Sequence, residues 1–388
     1  MNGLQTDIDK TYINVALFTL KQIVGRTFPN PPVVCVIVES SYTLTDHKIV
    51  SFGLTSFTGR PHAEANAIES INYKKNKFYT LYSTLEPCSH QGRSESCVSK
   101  IINSGFINRV IFCTLDPDKR VNGKGKKKLI DNNIIVDHGI MKNSASKIYE
   151  GYFLNRKKKR PKVILKLAIS MDGFISFKEN IRSKITNRMT NQYSQIIRSE
   201  VDGILVGSNT VKVDNCILNC RSPGLKKFSP VRIILNRSLD LCLNLRVFKD
   251  CSKQRTIIIT QNKDLEKHRK YLNRNIEVRY ITSKKYNLRN ILEDLSSIGI
   301  CNLLVEGGAK IFSSFIKENL YDEILLFRGN FFIGDGGLNA VNSEKNNFLS
   351  KKKFSIRESI RFGNDSLEIL NSLKKNNQLD SKDVFGNN

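Results

Sequence analysis

The chain has no tryptophan, and no stretch of it comes near the ~18 to 20 consecutive apolar residues that a membrane-spanning helix needs. The first absence weakens any reading built on aromatic recognition of nucleic acid; the second excludes a membrane-spanning helix. The opening segment, MNGLQTDIDK, lacks the basic-then-apolar pattern of a secretory signal, so a cytoplasmic location is expected. No G-x-G-x-x-G occurs, which leaves a Rossmann dinucleotide fold unsupported. Nor is there an internal repeat between the halves. Acidic residues are scarce, 36 against 62 Lys and Arg, for a net charge of +26. Such a surplus favours a phosphorylated or polyanionic partner. Here it is scattered among Asn and Ile and condenses only at Lys124 to Lys128 and Arg156 to Arg160, so it reads first as compositional bias.

What is present fits a globular chain of two domains. A length of 388 residues exceeds the ~250 to 300 at which single cores stop growing. A content of 40% hydrophobic and 25% charged residues is ordinary for a packed protein. Nine cysteines, an odd number, argue for thiols or metal ligands over a disulfide framework.

Residues 1–154 read as a first α/β domain. Apolar residues at helical spacing predict a helix over Asp7 to Val24, and further helices are expected near His62 to Tyr73, Ser96 to Ser104 and Gly125 to Asn132. Strands are expected at Val33 to Val38, Lys48 to Leu54, Phe78 to Ser83, Val110 to Thr114 and Ile134 to Asp137. One connecting helix is expected over Lys142 to Phe153, broken by the charged run that ends at Pro161. Residues 161–370 form a second α/β series, with strands at Val163 to Ile169, Gly203 to Val206, Val231 to Leu235, Thr256 to Thr260, Ile276 to Tyr280, Asn302 to Val305 and Glu323 to Arg328. Residues 371–388 are polar and expected to fray.

The first domain carries a metal-ligand pattern. Pro61-His62-Ala63-Glu64 opens a helix, Glu86-Pro87-Cys88 follows a strand, and Cys97 lies nine residues beyond Cys88, before another helix. One imidazole and two thiolates leave an open position on tetrahedral zinc, as hydrolysis requires. Helix N-termini favour the thiolate form of such ligands. Glu64, two residues from His62, is placed to take a proton from the attacking water and deliver it to a leaving nitrogen. This is the logic of the zinc deaminases, whose signature is H-x-E followed by P-C-x-x-C; the first half matches and the cysteine spacing does not. Cys35 and Cys113, within apolar strands, read as packing residues.

The second domain carries VILKLAISMDGFIS, DGILVGSNTVKVDN and LVEGGAKIFSSF. Glu306-Gly307-Gly308 lies between a strand and a helix, where glycine lets a phosphate approach backbone N–H groups.

PHAEANAIES, STLEPCSHQGRSESC and LDPDKRVNGKG together resemble the deaminase half of the bifunctional deaminase-reductase of riboflavin biosynthesis. The long inter-cysteine segment with S-H-x-G-R separates that family from cytidine, tRNA adenosine and guanine deaminases, and the three later segments resemble its reductase half. The resemblance implies an N-terminal cytidine-deaminase-like three-layer α/β domain and a C-terminal dihydrofolate-reductase-like domain. It implies Zn2+ held by His62, Cys88 and Cys97, with Glu64 as proton shuttle, and a phosphoribosylated diaminopyrimidinone that loses its ring amino group to water. It then implies NADPH reduction of the ribosyl to the ribityl side chain. By the same resemblance Ala168, Lys184, Thr210, Asp214 and Gly308 fall on cofactor positions, and Lys166, Arg182, Arg198, Leu218, Arg221 and Glu306 on substrate positions. Guanidinium groups suit a phosphate because they pair with it bidentately. The implied partners are a small-molecule substrate and a second copy of the chain through the reductase half, with no specific nucleic acid and no membrane.

Departures from the family pattern mark open questions. Val34 replaces a glycine, Thr55 an imidazole, Arg182 a small hydroxyl and Lys184 an indole, while Asp214-Asn215-Cys216 replaces D-D-P. Two alternatives follow: a deaminase with an impaired reductase half, and, from the charge and the zinc pattern, a nucleic-acid-binding or RNA-editing protein.

Overall fold

A computed structural model describes residues 3–90, 95–282, 284, 286–341 and 352–372, and the chain divides into two compact units, 1–159 and 160–388. The first unit runs α1 (Gly3–Gln22), β1 (Val34–Ser40), β2 (Lys48–Leu54), α2 (Ala63–Glu69) and β3 (Phe78–Ser83). It continues with α3 (Cys97–Ser104), β4 (Ile107–Phe112), α4 (Lys124–Ile130), β5 (Ile135–His138), α5 (Lys142–Ile148) and α6 (Glu150–Lys158). The sheet order is β2-β1-β3-β4-β5, antiparallel from β2 to β3 and parallel from β3 to β5. Every residue of β1 is buried, which explains why this strand reads as an unbroken apolar run. Ile13, Ala16, Leu17 and Leu20 bury one face of α1 at helical spacing.

Two local expectations are corrected. The single helix expected over Lys142 to Phe153 is two helices meeting at Tyr149, whose buried hydroxyl bonds Thr84 Oγ1 at 2.7 Å and donates to the Pro32 carbonyl at 2.9 Å. The charged run does not break the helix either. Arg156, Lys157 and Lys158 form the last turn of α6, where cations face the negative end of the helix dipole, and Lys159 closes it in the left-handed conformation at φ 51°.

The second unit begins with β6 (Lys162–Ile169), β7 (Phe174–Ser176), α7 (Arg188–Ser199), β8 (Gly203–Gly207), α8 (Ser208–Asp214), β9 (Val231–Leu235) and β10 (Thr256–Thr260). Then come α9 (Leu265–Leu272), β11 (Ile276–Tyr280), α10 (Leu288–Ser297), β12 (Asn302–Val305), α11 (Ala309–Lys317) and β13 (Glu323–Arg328). It ends with β14 (Leu338–Asn339), β15 (Phe354–Phe362) and β16 (Asp365–Ser372). The main sheet has nine strands in the order β11-β10-β9-β8-β12-β6-β13-β16-β15, parallel through β13 and antiparallel beyond. The β15–β16 hairpin was not expected: β15 is largely exposed, so it presents no apolar run to read. Its pairing carries through Ser372, and residues 373–388 lie outside the described ones.

Buried carboxylates set the positions of several elements. Asp202 accepts the backbone N–H of Cys301 at 2.9 Å and of Asn302 at 2.7 Å, fixing the start of β12. Asp365 accepts Asn187 N–H at 2.7 Å, and Asn187 in turn caps α7 by accepting from Thr190 N–H. In the first unit Arg109, 4% exposed, donates to Asp9, 0% exposed, and to Asp137, while Tyr82 donates to Asp9 at 2.8 Å. This network ties α1 to the sheet. Replacing Arg109 with Met strands the Asp9 carboxylate in the core and is expected to destabilise the first unit by about 3–5 kcal/mol. Urea unfolding followed by circular dichroism reads the loss, and the Asp9→Leu/Arg109→Met pair should recover part of it.

Candidate active sites

The three candidate ligand side chains come from three separate segments. His62 is the N-cap residue of α2, Cys88 follows β3, and Cys97 is the first residue of α3. Ser96 caps α3 by accepting from Ser99 N–H at 3.0 Å. His62 Nδ1 lies 3.3 Å from Cys97 Sγ and 3.5 Å from Cys88 Sγ, and the three ligand atoms all fall within 4.8 Å of one another. The Cys97 N–H also points at Cys88 Sγ, 3.4 Å away. The Cys97 thiol, with help from His62 and against burial, holds the Cys88 thiol well below its usual range. One imidazole and two sulfurs this close suit zinc.

Glu64 sits in the first turn of α2, 3% exposed, with Oε1 accepting from Ser83 Oγ and Oε2 from Cys97 Sγ, each at 3.3 Å. Burial pushes its carboxyl above the usual range. Its depth depends on Gly53 in β2, where an added Cβ would stand 2.0 Å from the Ala63 carbonyl oxygen. That contact lets α2, with Glu64 on it, lie directly on the strand.

His62, Glu64 and Cys88 open onto a cleft of about 220 Å³ that Asn30, Thr55, Glu86, His90, Asp116, Asp118, Arg120 and Tyr152 also line. Thr55, in place of the family imidazole, is at the cleft with Oγ1 accepting from Val33 N–H at 2.9 Å. Val34 is fully buried in β1, its N–H donating to Thr84 Oγ1, so the change from glycine falls in the core. Residues 91–94 of the S-H-x-G-R segment lie outside the described residues.

Sequence reasoning passed over Glu86. Its buried carboxylate accepts backbone N–H groups from Asp116 at 3.2 Å, Gly123 at 3.0 Å and Lys126 at 3.2 Å. It thereby pins the LDPDKRVNGKG loop against the cleft. Gly125 makes this approach feasible, since a Cβ there would stand 2.4 Å from the Pro87 carbonyl oxygen. The loop presents Asp116, which takes the Tyr152 hydroxyl at 3.0 Å and the Asp118 N–H at 2.8 Å, and whose carboxyl burial pushes up to about 6.

In the second unit Arg198 of α7 meets Glu306 bidentately, with Nε and Nη2 each donating at 2.8 Å, and its Nη1 donates to the Asn219 carbonyl. Burial works to raise the Glu306 carboxyl, but Arg198 and Lys166 outweigh it and hold it at about 2. Lys166 is half-buried on β6 with its ammonium 5.4 Å from the Phe327 ring, and burial lowers its basicity. Ala168 lies on the same face of β6 as Lys166. Asp214 ends α8; burial raises its carboxyl while Arg182 and Lys166 oppose the shift. Burial lowers Arg221, and the nearby cations Arg198, Arg182 and Arg246 reinforce the effect. Leu218 is buried at φ 58°, with its carbonyl taken by Gln254. Thr210 and Gly308 are neighbours: a Cβ on Gly308 would lie 3.7 Å from Thr210 Oγ1. Arg182 and Lys184 are exposed. Asn215, the residue that alters the D-D-P turn, closes α8 in the left-handed conformation at φ 42°, which asparagine tolerates.

The first unit thus has the layout of a zinc-dependent deaminase, and the second groups ionised side chains around the Glu306–Arg198 pair at the ends of its parallel strands. Residues 6–114 match the cytidine and deoxycytidylate deaminase zinc-binding region, and residues 161–367 match the RibD C-terminal domain. The riboflavin biosynthesis protein RibD of Aquifex aeolicus is 38% identical over 85% of this chain and 89% of its own length. Among solved structures, RibD of Acinetobacter baumannii aligns with a TM-score of 0.84 at 26% identity, covering 95% of this chain and 99% of that one. A diaminohydroxyphosphoribosylaminopyrimidine deaminase/5-amino-6-(5-phosphoribosylamino)uracil reductase of Thermotoga maritima aligns with a TM-score of 0.80 at 31% identity, over 95% and 99%. The chain belongs to the RibD family, the bifunctional deaminase-reductases of riboflavin biosynthesis. The deaminase region implies Zn2+ and the reductase domain NADPH. An RNA-editing protein is set aside by this membership, and no helix among the described residues is long and apolar enough to cross a membrane.

Because Glu86 positions the cleft loop without touching the ligand sulfurs, Glu86→Gln should leave zinc content unchanged and raise the KM for deamination about tenfold, with a smaller fall in kcat. Steady-state ammonia release and metal analysis check this.

Proposed function

We propose that the first unit removes the ring amino group of a phosphoribosylated diaminopyrimidinone, and that the second reduces the ribosyl group of the resulting aminouracil to a ribityl chain. The observation that carries this reading is the His62–Cys88–Cys97 cluster with the Glu64 carboxylate in contact with it. His62, Cys88 and Cys97 would hold zinc, which when bound supplies the Lewis acidity that makes water nucleophilic near neutral pH. Glu64 takes a proton from the attacking water and passes it to the departing nitrogen; its raised pKa favours holding that proton between the two transfers. Ammonia leaves as the C–N bond breaks and a C–O bond replaces it.

In the second unit NADPH when bound supplies the hydride. We assign to Ala168, Lys184, Thr210, Asp214 and Gly308 the cofactor side, and to Arg182, Arg198, Leu218, Arg221, Glu306 and Lys166 the substrate side. Arg198 is already committed to Glu306, so Arg221, among several cations, is the better phosphate partner of the two. The ribosyl ring opens to an imine whose C1 takes the hydride, and Lys166, less basic than an exposed lysine, provides the proton that the imine nitrogen takes up. The exposed Lys184 stands where the family has an indole, and its ammonium suits the extra phosphate of NADPH. The reading carries with it a cytoplasmic setting and an oligomer built through the second unit, which sedimentation would measure.

Ammonia release followed by NADPH oxidation from one zinc-quantified preparation tests both steps; failure of either signal removes that half of the reading. Glu64→Gln should keep its zinc and lose about 10²- to 10⁴-fold in deamination, whereas Cys88→Ser and Cys97→Ser should lose the metal itself. Lys184→Trp should change NADPH affinity by about a factor of ten, measured by fluorescence titration, and an unchanged affinity would remove Lys184 from the cofactor site.

A further inference from the structure

Between α8 and β9 the chain runs through residues 218–221 without joining a helix or a strand, and a segment of that kind ordinarily leaves its backbone groups to water. Here four consecutive residues each have a backbone group taken by a side chain from outside the segment. Gln254 Nε2 donates to the Leu218 carbonyl at 3.2 Å and to the Pro230 carbonyl at 2.7 Å. Arg198 Nη1 donates to the Asn219 carbonyl at 3.1 Å. The Cys220 N–H donates to Ser229 Oγ and the Arg221 N–H to Gln195 Oε1, each at 3.0 Å. The Cys220 thiol adds a bond to the Gln195 carbonyl at 3.1 Å, and the Ser229 hydroxyl donates onward to the Lys226 carbonyl at 2.7 Å.

The segment is held in a conformation that its residues disfavour. Leu218 stands at φ 58°, in the left-handed region, while its side chain is buried in the core that Val211, Val247 and Ile258 share. The Gln254 bond to its carbonyl and the Arg198 bond to the next one brace this turn. Arg198 also holds Glu306 bidentately, so the brace ties the segment to the ionised pair beyond the end of β12. Gln195 and Gln254 are each 8% exposed, which shelters their bonds from water. Arg221 itself is exposed, so its guanidinium takes a defined origin from the backbone that these side chains fix.

We propose that Gln195, Ser229 and Gln254 are positioning residues for the reduction: by clamping residues 218–221 they set Leu218 and Arg221 against the Arg198–Glu306 pair before the substrate arrives. The proposal rests on the reductase reading above, which puts Leu218 and Arg221 on the substrate side, and deepens it by naming what fixes them there. Each of the three acts through the backbone group it holds. Clamping the segment in advance moves its ordering cost from binding to folding, so the clamp governs the affinity of the second unit for the aminouracil.

The test follows NADPH oxidation by the full chain with the phosphoribosylaminouracil as substrate. Gln195→Met and Gln254→Met keep most of the side-chain volume and remove the bonds, and Ser229→Ala removes only a hydroxyl. Each should raise the KM for the aminouracil about five- to tenfold and leave kcat and NADPH affinity within about twofold of native. Ser229 and Gln254 border a cavity of about 230 Å³, so Ser229→Thr has room for its methyl, restores the hydroxyl and should return the KM to within about twofold of native. An unchanged KM in all three variants, or a Ser229→Thr protein no better than Ser229→Ala, would overturn the clamp. A joint loss of kcat, NADPH affinity and KM would show a general loosening of the unit and overturn it as well. Should urea unfolding show that a Met variant does not fold, the Ser229→Ala and Ser229→Thr pair decides by itself. Absence of NADPH oxidation by the native protein would instead remove the reductase reading, and the clamp with it.

Discussion

A carboxylate taken out of water must find donors, and both units of this chain are assembled around carboxylates that find them in the backbone N–H groups of neighbouring segments. Glu86 gathers the loop that forms one wall of the cleft in the first unit. Asp202 fixes the start of β12, the strand that delivers Glu306, and Asp365 holds the N-terminus of α7, the helix that delivers Arg198. Each of these links joins residues far apart in the chain, so the constraint is tertiary and brings the reacting side chains into register as a consequence of folding.

The two units solve different chemical problems with different electrostatics. In the first, Glu64 is buried with few donors, and burial pushes its carboxyl up, so it holds a proton more readily than an exposed glutamate does. In the second, Glu306 is buried against Arg198 and Lys166 and stays ionised, as befits a group that orients its partners. The environment, more than the residue type, separates the two roles.

Departures from the family pattern fall into distinct physical settings. Val34 lies in the core of β1, and Asn215 supplies a left-handed helix end that its side chain suits. Thr55 borders the cleft itself, while Arg182 and Lys184 are exposed in the second unit. The first two are accommodated by packing and backbone geometry. The latter three line the cleft or face solvent.

The sequence by itself determined the parallel strands, because strands buried on both faces are written as apolar runs: Val231–Leu235, Thr256–Thr260 and Glu323–Arg328 lie where those runs lie. It also singled out His62, Cys88 and Cys97, whose residue types restrict the chemistry before any geometry is known and whose side chains the fold brings together. The exposed edge strand β15, the break at Tyr149 and the helical run through Lys158 were not legible, because each is decided by partners elsewhere in the fold or by the helix dipole. The role of Glu86 and the closing of Gln195, Ser229 and Gln254 on residues 218–221 were decided only by the tertiary structure. A single carboxylate or amide in a sequence carries no period and no spacing rule, and its meaning comes from what the fold sets against it.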